Sequence, residues 1–283
     1  MSIEKRKNKY FGVREDSQCS KCECNPETLL PEGIRNLEDT AICATRLVPS
    51  DGFKLGIPGD DGKVKVAAFD FDGTCLSGSS PKKLVGILSK MYLLSLYKLF
   101  RIGLWGLAYK LNLPADEKGV RERVFSAFKG MPALKVNEFL CEMYQEKVDK
   151  VFRPEADAAM IAHLEEGHAV VLISASFEPL IASAMLSHPI PIAIASRMEV
   201  DESGRYTGTI EGLPTEGTDK VVVLKQFLDD YYGEGRWELE WAYSDHYSDV
   251  PLLDSAKHPC AVTPGSKLKR YAQAKGWDIL NWE

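Results

Sequence analysis

The sequence predicts an α/β fold: a doubly wound parallel sheet, Rossmann-like in its layering, with an inserted helical cap domain. Short apolar segments alternate with amphipathic segments from residue 153 onward, as in a parallel sheet covered by helices. An apolar, β-branched run at 64–69 has the same character as these strands. The stretch between the two regions shows helical patterns and no strand pattern. We therefore expect one sheet whose first strand is separated from the other strands, along the sequence, by the helical segment.

The chain divides into three parts. Residues 1–63 are rich in Pro, Gly, Asn and charge with weak periodicity, which predicts an irregular N-terminal extension. Residues 64–78 and 153–283 are expected to form the core, and residues 79–152 the helical cap.

The core elements are predicted in order along the chain. The first strand, Val64–Phe69, ends in the sequence DFDGT, which indicates a buried strand followed by a glycine turn. Four further strands are expected at 169–174, 191–197, 239–244 and 260–263. Helices are expected at 156–166, 219–231, 250–256 and 267–275. Alternation around 198–212 predicts a hairpin-like excursion.

Composition and charge exclude several classes of protein. The 283 residues are 45% hydrophobic and 27% charged, which is ordinary for a globular protein and too apolar for a disordered one. A net charge of −6 argues against a dedicated nucleic-acid partner. The basic N-terminus has no apolar run after it, unlike a secretory signal. No uncharged apolar stretch approaches the ~18 residues of a membrane span, so we expect a cytoplasmic protein.

The seven cysteines fall into two groups. Three stand alone and are expected to be small buried hydrophobes: Cys75, Cys141 and Cys260. The others lie in the extension: Cys19, Cys22, Cys24 and Cys43. Four thiolates could close a tetrahedral zinc shell, but a second C-x2-C at a familiar spacing is missing. A surface tail is the favoured interpretation, and a zinc or redox site is the alternative.

Polar residues follow the predicted strands at the edge where open parallel sheets bind ligands. Four carboxylates, one hydroxyl and one ammonium are expected there: Asp70, Asp72, Asp245, Asp249, Ser174 and Lys220. Singly, an Asp-Gly pair is usually a turn and a lysine opening a helix is usually solvated. Together, four carboxylates would repel one another without a cation. Oxygen ligands at this density suit Mg²⁺.

The segments AAFDFDGT, LISAS, GTDK and AYSDHYSD resemble, in this order, the four motifs of the haloacid dehalogenase (HAD) superfamily of phosphohydrolases. The resemblance covers about residue 64 to the C-terminus. It is closest to subfamily IB, which includes phosphoserine phosphatases and phosphatases of the phosphatidylglycerophosphatase C type. Such enzymes carry a helical cap directly after the first motif.

The resemblance implies a role for each motif residue. Asp70 would be the nucleophile that forms an aspartyl-phosphate, and Asp72 the general acid and base. Ser174 would hydrogen-bond the phosphoryl oxygens, and Lys220 would neutralise charge on the phosphoryl group and on Asp70.

The resemblance also implies a Mg²⁺ site. Asp70, the backbone carbonyl of Asp72 and Asp245 would be direct ligands. Asp249 would hold metal-bound water or position Lys220. The fourth motif reads SD where GD is commoner, a departure at Ser244 that leaves the ligand in place.

Other polar and aromatic residues have weaker assignments. His246, next to Asp245, is either a surface residue or a substrate contact, and Ser176 could also reach the phosphoryl group. The other histidines are expected at the surface: His163, His168, His188 and His258. Four tryptophans are expected to pack in the core or at its edge: Trp237, Trp241, Trp277 and Trp282.

The predicted cap is basic in an acidic protein. Between Asp72 and Asp116 there are six basic residues and no acidic one: Lys82, Lys83, Lys90, Lys98, Arg101 and Lys110. Four of them share one stripe of a helix: Lys83, Lys90, Lys98 and Arg101. The stripe is either solvated on a cap packed in its own bundle or faces an anionic membrane.

We therefore expect a Mg²⁺-dependent phosphate-monoester hydrolase that acts on a small phosphorylated metabolite. Three alternatives stay open at this stage. The substrate could be a lipid phosphate at a membrane surface, or the acceptor could be a molecule other than water. The protein could also be a binding protein that uses its cysteine-rich extension.

Overall fold

The computed structural model describes residues 24–37, 45–50, 56–94, 124–212 and 215–283. In these residues the strands are β1 (Ile34–Asn36), β2 (Thr45–Pro49), β3 (Val64–Phe69), β4 (Ala169–Phe177), β5 (Ala193–Val200), β6 (Tyr206–Glu211), β7 (Trp237–Ser244), β8 (His258–Val262) and β9 (Asp278–Leu280). The helices are α1 (Ser80–Lys90), α2 (Ala133–Met143), α3 (Pro154–Glu165), α4 (Glu178–Ser187), α5 (Gly217–Tyr232), α6 (Val250–Asp254) and α7 (Ser266–Lys275).

The sheet is mainly parallel. Its strand order is β1-β2-β5-β4-β3-β7-β8-β9, and β6 pairs with β5 outside this path. The six strands from β5 to β9 in this order are parallel, while β1, β2 and β6 pair antiparallel. The chain winds outward from β3 in one direction through β4 and β5, and in the other through β7 and β8. The boundary between β3 and β7 is therefore the topological switch point, where such sheets bind ligands.

Both faces of the central strand are buried. Ala67 and Phe69 pack in one apolar core with α1 to α4, and Val66 and Ala68 pack in a second core with α5 to α7. All four side chains are fully buried. Because successive side chains of a strand point to opposite faces, this continuous apolar run suits a strand covered on both sides. The doubly wound α/β prediction is confirmed.

The N-terminal part differs from the predicted irregular extension. β2 pairs antiparallel with β5, and β1 pairs with β2. Leu47 and Val48 of β2 are fully buried, so this segment belongs to the core. Strands of three and five residues produce almost no periodicity in a background of Pro, Gly and charge, which is why the sequence pattern missed them.

Two further elements were not predicted. Helix α4 is buried along nearly its whole length, so it lacks the polar face by which an amphipathic helix is recognised. β9 has only three residues.

The segment between β3 and α3 is helical where it is described. The hairpin of β5 and β6 contacts it at the start of α2, since the N–H groups of Gly130 and Ala133 donate to the carbonyls of Tyr206 (2.8 Å) and Gly204 (2.9 Å). Residues 95–123, which include Lys98, Arg101 and Lys110 of the basic segment, lie outside the described residues, and the cap boundaries stay a prediction.

None of the helices in the described ranges is both long and apolar enough to cross a membrane.

Candidate active site

Asp70 lies directly after β3, at the switch point of the sheet. Its N–H donates to the carbonyl of Tyr243 in β7 at 2.9 Å, which fixes the backbone between the two strands. Its Oδ2 atom accepts a hydrogen bond from Thr74 Oγ1 at 3.1 Å. Asp70 is 7% exposed. The turn at Phe71–Cys75 therefore folds back on the carboxylate that precedes it.

Lys220, in the first turn of α5, joins two carboxylates. Its Nζ atom donates to Oδ1 of Asp70 at 2.5 Å and to Oδ2 of Asp249 at 2.7 Å. Ser244 Oγ also donates to Oδ2 of Asp249, at 2.7 Å. The Lys220 and Asp249 side chains are each only 4% exposed. Of the two roles expected for Asp249, the structure shows the contact that positions Lys220.

The charges in this site do not balance. Burial raises the pKa of Asp70 to about 6, against the attraction of Lys220, and the Asp249 carboxylate adds to the rise. Burial followed by repulsion from Asp70 and Asp249 raises the pKa of Asp245 well above its usual range. Burial disfavours the charged form of Lys220, but Asp249 and Asp70 outweigh it and raise its pKa. One ammonium thus faces an excess of buried carboxylates.

This excess fits a divalent cation. Thr74 Oγ1 contacts both Oδ2 of Asp70 (3.1 Å) and Oδ1 of Asp245 (3.4 Å), so the two carboxylates lie near one point. Across the described ranges, no group of three or more His, Cys, Asp or Glu side chains is arranged to hold a metal ion by itself. Mg²⁺ does not need one, since it keeps several waters and takes one or two carboxylates together with substrate phosphate. The oxygen-only donors at this point therefore suit Mg²⁺.

Asp72 lies beside this group and contacts two serines. The Ser80 N–H donates to its Oδ1 atom at 2.5 Å, and the Ser80 hydroxyl donates to its Oδ2 atom at 3.1 Å. The Ser176 hydroxyl also donates to Oδ2. The predicted general acid is thus bonded to the first turn of α1 and to β4.

Ser174 is 1% exposed near the end of β4. Its hydroxyl accepts a hydrogen bond from the Ser176 N–H at 3.0 Å, and its carbonyl accepts one from Thr215 Oγ1 at 2.5 Å. These bonds fix both the backbone and the hydroxyl of Ser174. Sequence reasoning missed Thr74, Ser80 and Thr215, because threonine and serine are too common to stand out without knowledge of their contacts.

The histidine predictions were partly wrong. His163 and His168 are 7% and 8% exposed, and their Nδ1 atoms lie 3.0 Å apart. His163 Nε2 lies 2.9 Å from the Tyr243 hydroxyl. An isolated histidine in a helix sequence gives no sign of such partners. His246 Nδ1 accepts from the Ser248 N–H at 3.2 Å, which caps the Tyr247–Asp249 turn next to the site.

The predictions for buried cysteines and packed tryptophans hold. Cys75, Cys141 and Cys260 are buried. The four named tryptophans are partly buried and pack against the two cores. Cys24 is buried too, with its Sγ atom 3.8 Å from that of Cys141, so it is not part of a surface tail. Cys19, Cys22 and Cys43 lie outside the described residues, and the zinc alternative stays a prediction.

The family model of haloacid dehalogenase-like hydrolases matches residues 67–254. The chain belongs to this family. The match includes all six motif residues described above. The family-level prediction from the four sequence motifs is therefore confirmed.

Curated relatives of known name are moderately similar. A histidinol-phosphatase of Neisseria meningitidis is 30% identical over 52% of this chain and 66% of its own length. A phosphoserine phosphatase of Mycobacterium tuberculosis is 27% identical over 76% of this chain and 70% of its own. An "inhibition of morphological differentiation protein" of Streptomyces azureus is 29% identical over 54% of each chain. The chain thus spans about two thirds of the length of the Neisseria enzyme and about half of the length of the Streptomyces protein.

Solved structures agree on the fold. A Bordetella pertussis protein of unknown function aligns with a TM-score of 0.68 and 24% identity, over 77% of this chain and 99% of that protein. A substrate-bound phosphoserine phosphatase aligns with a TM-score of 0.55 and 16% identity, over 77% and 92% of the two chains. At these identities the likeness concerns the fold alone.

Proposed function

We propose that this protein is a Mg²⁺-dependent phosphatase that hydrolyses phosphate monoesters through an aspartyl-phosphate on Asp70. The observation that supports this most strongly is the pair of contacts on the Asp70 carboxylate. Lys220 binds one oxygen and Thr74 the other, so the carboxylate is held in one orientation at the switch point. A nucleophile held in place in this way avoids part of the entropic cost of reaction.

The first step transfers the phosphoryl group to the protein. A carboxylate oxygen of Asp70 attacks phosphorus, the bond from phosphorus to the ester oxygen breaks, and Asp72 gives that oxygen a proton. Lys220 and the Ser174 hydroxyl bind the phosphoryl oxygens. Because the Ser174 hydroxyl accepts from the Ser176 N–H, its own hydrogen is available for a phosphoryl oxygen.

The second step releases phosphate. Asp72, now ionised, takes a proton from a water molecule, and the resulting oxygen attacks the phosphorus of the aspartyl-phosphate. The bond between phosphorus and Asp70 breaks, inorganic phosphate leaves, and both aspartates return to their starting states. Lys220 stays bonded to Asp249 throughout, so its ammonium keeps its position relative to Asp70.

The residues that would hold Mg²⁺ are Asp70, the backbone carbonyl of Asp72, and Asp245. Bound there, the ion would neutralise negative charge on the phosphoryl group and on the carboxylates. It would also relieve the repulsion from Asp70 and Asp249 that, together with the larger effect of burial, raises the pKa of Asp245.

The substrate class we propose is a small phosphorylated metabolite. The support comes from relatives named for histidinol phosphate and phosphoserine.

The test compares hydrolysis of p-nitrophenyl phosphate, histidinol phosphate and phosphoserine, with Mg²⁺ and with EDTA. We expect activity that needs Mg²⁺ and vanishes in Asp70→Asn, because an amide cannot act as the nucleophile. The matched control is Asp60→Asn, which changes an exposed aspartate in the turn before β3 and should leave the rate unchanged. Activity that survives Asp70→Asn or EDTA would overturn the proposal.

A further inference from the structure

The carboxylate of Asp72 is enclosed by serines from two different parts of the chain. Ser80 opens α1, in the segment inserted after β3, and Ser176 lies in β4 of the core sheet. Ser80 bonds to both carboxylate oxygens, and Ser176 bonds to Oδ2. The two serine hydroxyl oxygens are themselves 3.0 Å apart. Asp72 is therefore bonded to the core and to the inserted segment at the same time.

The number of hydrogens that each serine can donate limits which acceptor it can bind. A hydroxyl has one hydrogen to donate, and Asp72 only accepts in its ionised form, the form that takes a proton from water in the second step. The Ser176 hydrogen goes to Asp72 in the closest contact of the group. The Ser80 hydroxyl then donates either to Asp72 at 3.1 Å or to Ser176 at 3.0 Å. Ser80 and Ser176 are 0% and 4% exposed, so bulk water cannot readily replace either donor.

We propose that Ser176 and Ser80 are positioning residues that aim the carboxyl group of Asp72, an inference that rests on the proposed function. A general acid works only within hydrogen-bond reach of the oxygen it protonates, so its direction matters as much as its acidity. The Ser80 N–H holds Oδ1 and the Ser176 hydroxyl holds Oδ2, so the carboxyl group has little rotational freedom. Ser176 acts on the reaction through Asp72.

The geometry separates this role from direct phosphate binding, which the sequence had allowed for Ser176. The Ser176 hydroxyl donates its only hydrogen to Asp72, and the Ser176 N–H donates to Ser174 Oγ at 3.0 Å. Ser174, two residues earlier, keeps its hydroxyl hydrogen for a phosphoryl oxygen. The two serines of the LISAS motif thus have different functions, one toward the phosphoryl group and one toward the acid.

The first test uses the leaving group. Phenyl phosphate needs a proton on its departing oxygen, whereas p-nitrophenyl phosphate has a leaving group that departs as a stable anion. We expect Ser176→Ala to lower kcat/KM at least about tenfold for phenyl phosphate and less than about threefold for p-nitrophenyl phosphate. The matched control is Ser183→Ala. Ser183 is equally buried, but its hydroxyl donates to the Pro179 carbonyl at 2.8 Å, so neither ester should be affected.

The second test is a double-mutant cycle with Asp72→Asn. If Ser176 acts through Asp72, then Ser176→Ala should change kcat/KM for phenyl phosphate less than about twofold in the Asp72→Asn protein. Ser176→Thr, which keeps the hydroxyl, should recover most of the activity. Ser80→Ala tests the same carboxylate from the other side and should show the same dependence on the leaving group.

The possible outcomes test the positioning role and the proposed function separately. Equal losses for the two esters, or additive losses in the cycle, would overturn the positioning role and favour direct contact of Ser176 with the phosphoryl group. The proposed function would survive that result, because the wild type would still hydrolyse both esters with Mg²⁺. A wild type that hydrolyses neither these two esters nor histidinol phosphate or phosphoserine would overturn the proposed function, and the positioning role with it.

Discussion

A β-carbon placed on Gly73 would lie 2.2 Å from Oδ2 of Asp245. Gly73 also has a φ of +90°, a region that residues with a side chain rarely adopt. The DFDGT turn therefore needs glycine for two reasons: other residues rarely adopt this backbone conformation, and a β-carbon would collide with the Asp245 carboxylate. The turn brings two predicted Mg²⁺ ligands together, one from the end of β3 and one from the end of β7.

The first prediction follows from this contact. Gly73→Ala should displace Asp245 and weaken Mg²⁺ binding at least about tenfold, with a comparable loss of activity. Isothermal titration with Mg²⁺ measures the affinity directly. The control is Gly86→Ala in α1, where an added β-carbon meets no atom within 4 Å. Unchanged Mg²⁺ affinity in Gly73→Ala would contradict the account in which this turn packs against a Mg²⁺ ligand.

The second prediction concerns the lysine between two carboxylates. Lys220→Met leaves Asp70 and Asp249 buried without their cation, so it should abolish hydrolysis and lower the free energy of unfolding by about 3 kcal/mol or more. Urea denaturation and a rate assay measure the two effects. Lys225→Met removes an exposed lysine from the same helix, paired with Asp229, and should change neither quantity appreciably. Full activity in Lys220→Met would contradict the role assigned to its charge.

The third prediction concerns the buried histidine pair. Burial, aided by His168, lowers the pKa of His163 to about 4, below its ordinary value of 6.5. Between these values the unfolded chain binds a proton that the folded protein does not, so stability should fall as the pH falls from about 6.5 toward 4. Urea denaturation at about pH 7 and pH 5 should show a smaller decrease for His163→Gln than for the wild type. The same substitution at the exposed His258 should leave the decrease as it is, and equal decreases in all three proteins would refute the explanation.

The fourth prediction concerns the N-terminal strands. Leu47 is fully buried in β2, so Leu47→Ala should lower the free energy of unfolding by about 2–5 kcal/mol. Ile57 is 74% exposed, and Ile57→Ala should change it by less than about 0.5 kcal/mol. Thermal and urea denaturation measure both. A neutral Leu47→Ala would mean that β2 contributes little to the core.

The sequence predicted the central strands and the motif residues because each has a local signature. β3 is a continuous apolar run, and Asp70 follows it in a turn that needs glycine. The contacts among the motif residues were less accessible. The N–H of Ser80 reaches Asp72 from eight positions along the chain, and Ser176 reaches it from 104 positions away. Such pairs share no fixed spacing or composition by which a sequence pattern could identify them.

The same limit explains the errors. Whether His163 is buried depends on Tyr243, which is 80 residues away. β2 is a strand because β5 provides the edge it pairs with, and its five residues have little strand character alone. Sequence patterns report the local part of the free energy, while these features depend on tertiary contacts that form only in the folded chain.

The covalent intermediate on Asp70 is the most direct test of the whole account. The protein would be mixed with p-nitrophenyl phosphate and Mg²⁺, quenched in acid during turnover, and digested for peptide mass spectrometry. We expect one phosphoryl group, located on Asp70 and lost when the reaction runs to completion before quenching. Turnover without phosphate on Asp70, or with phosphate on another residue, would contradict the account.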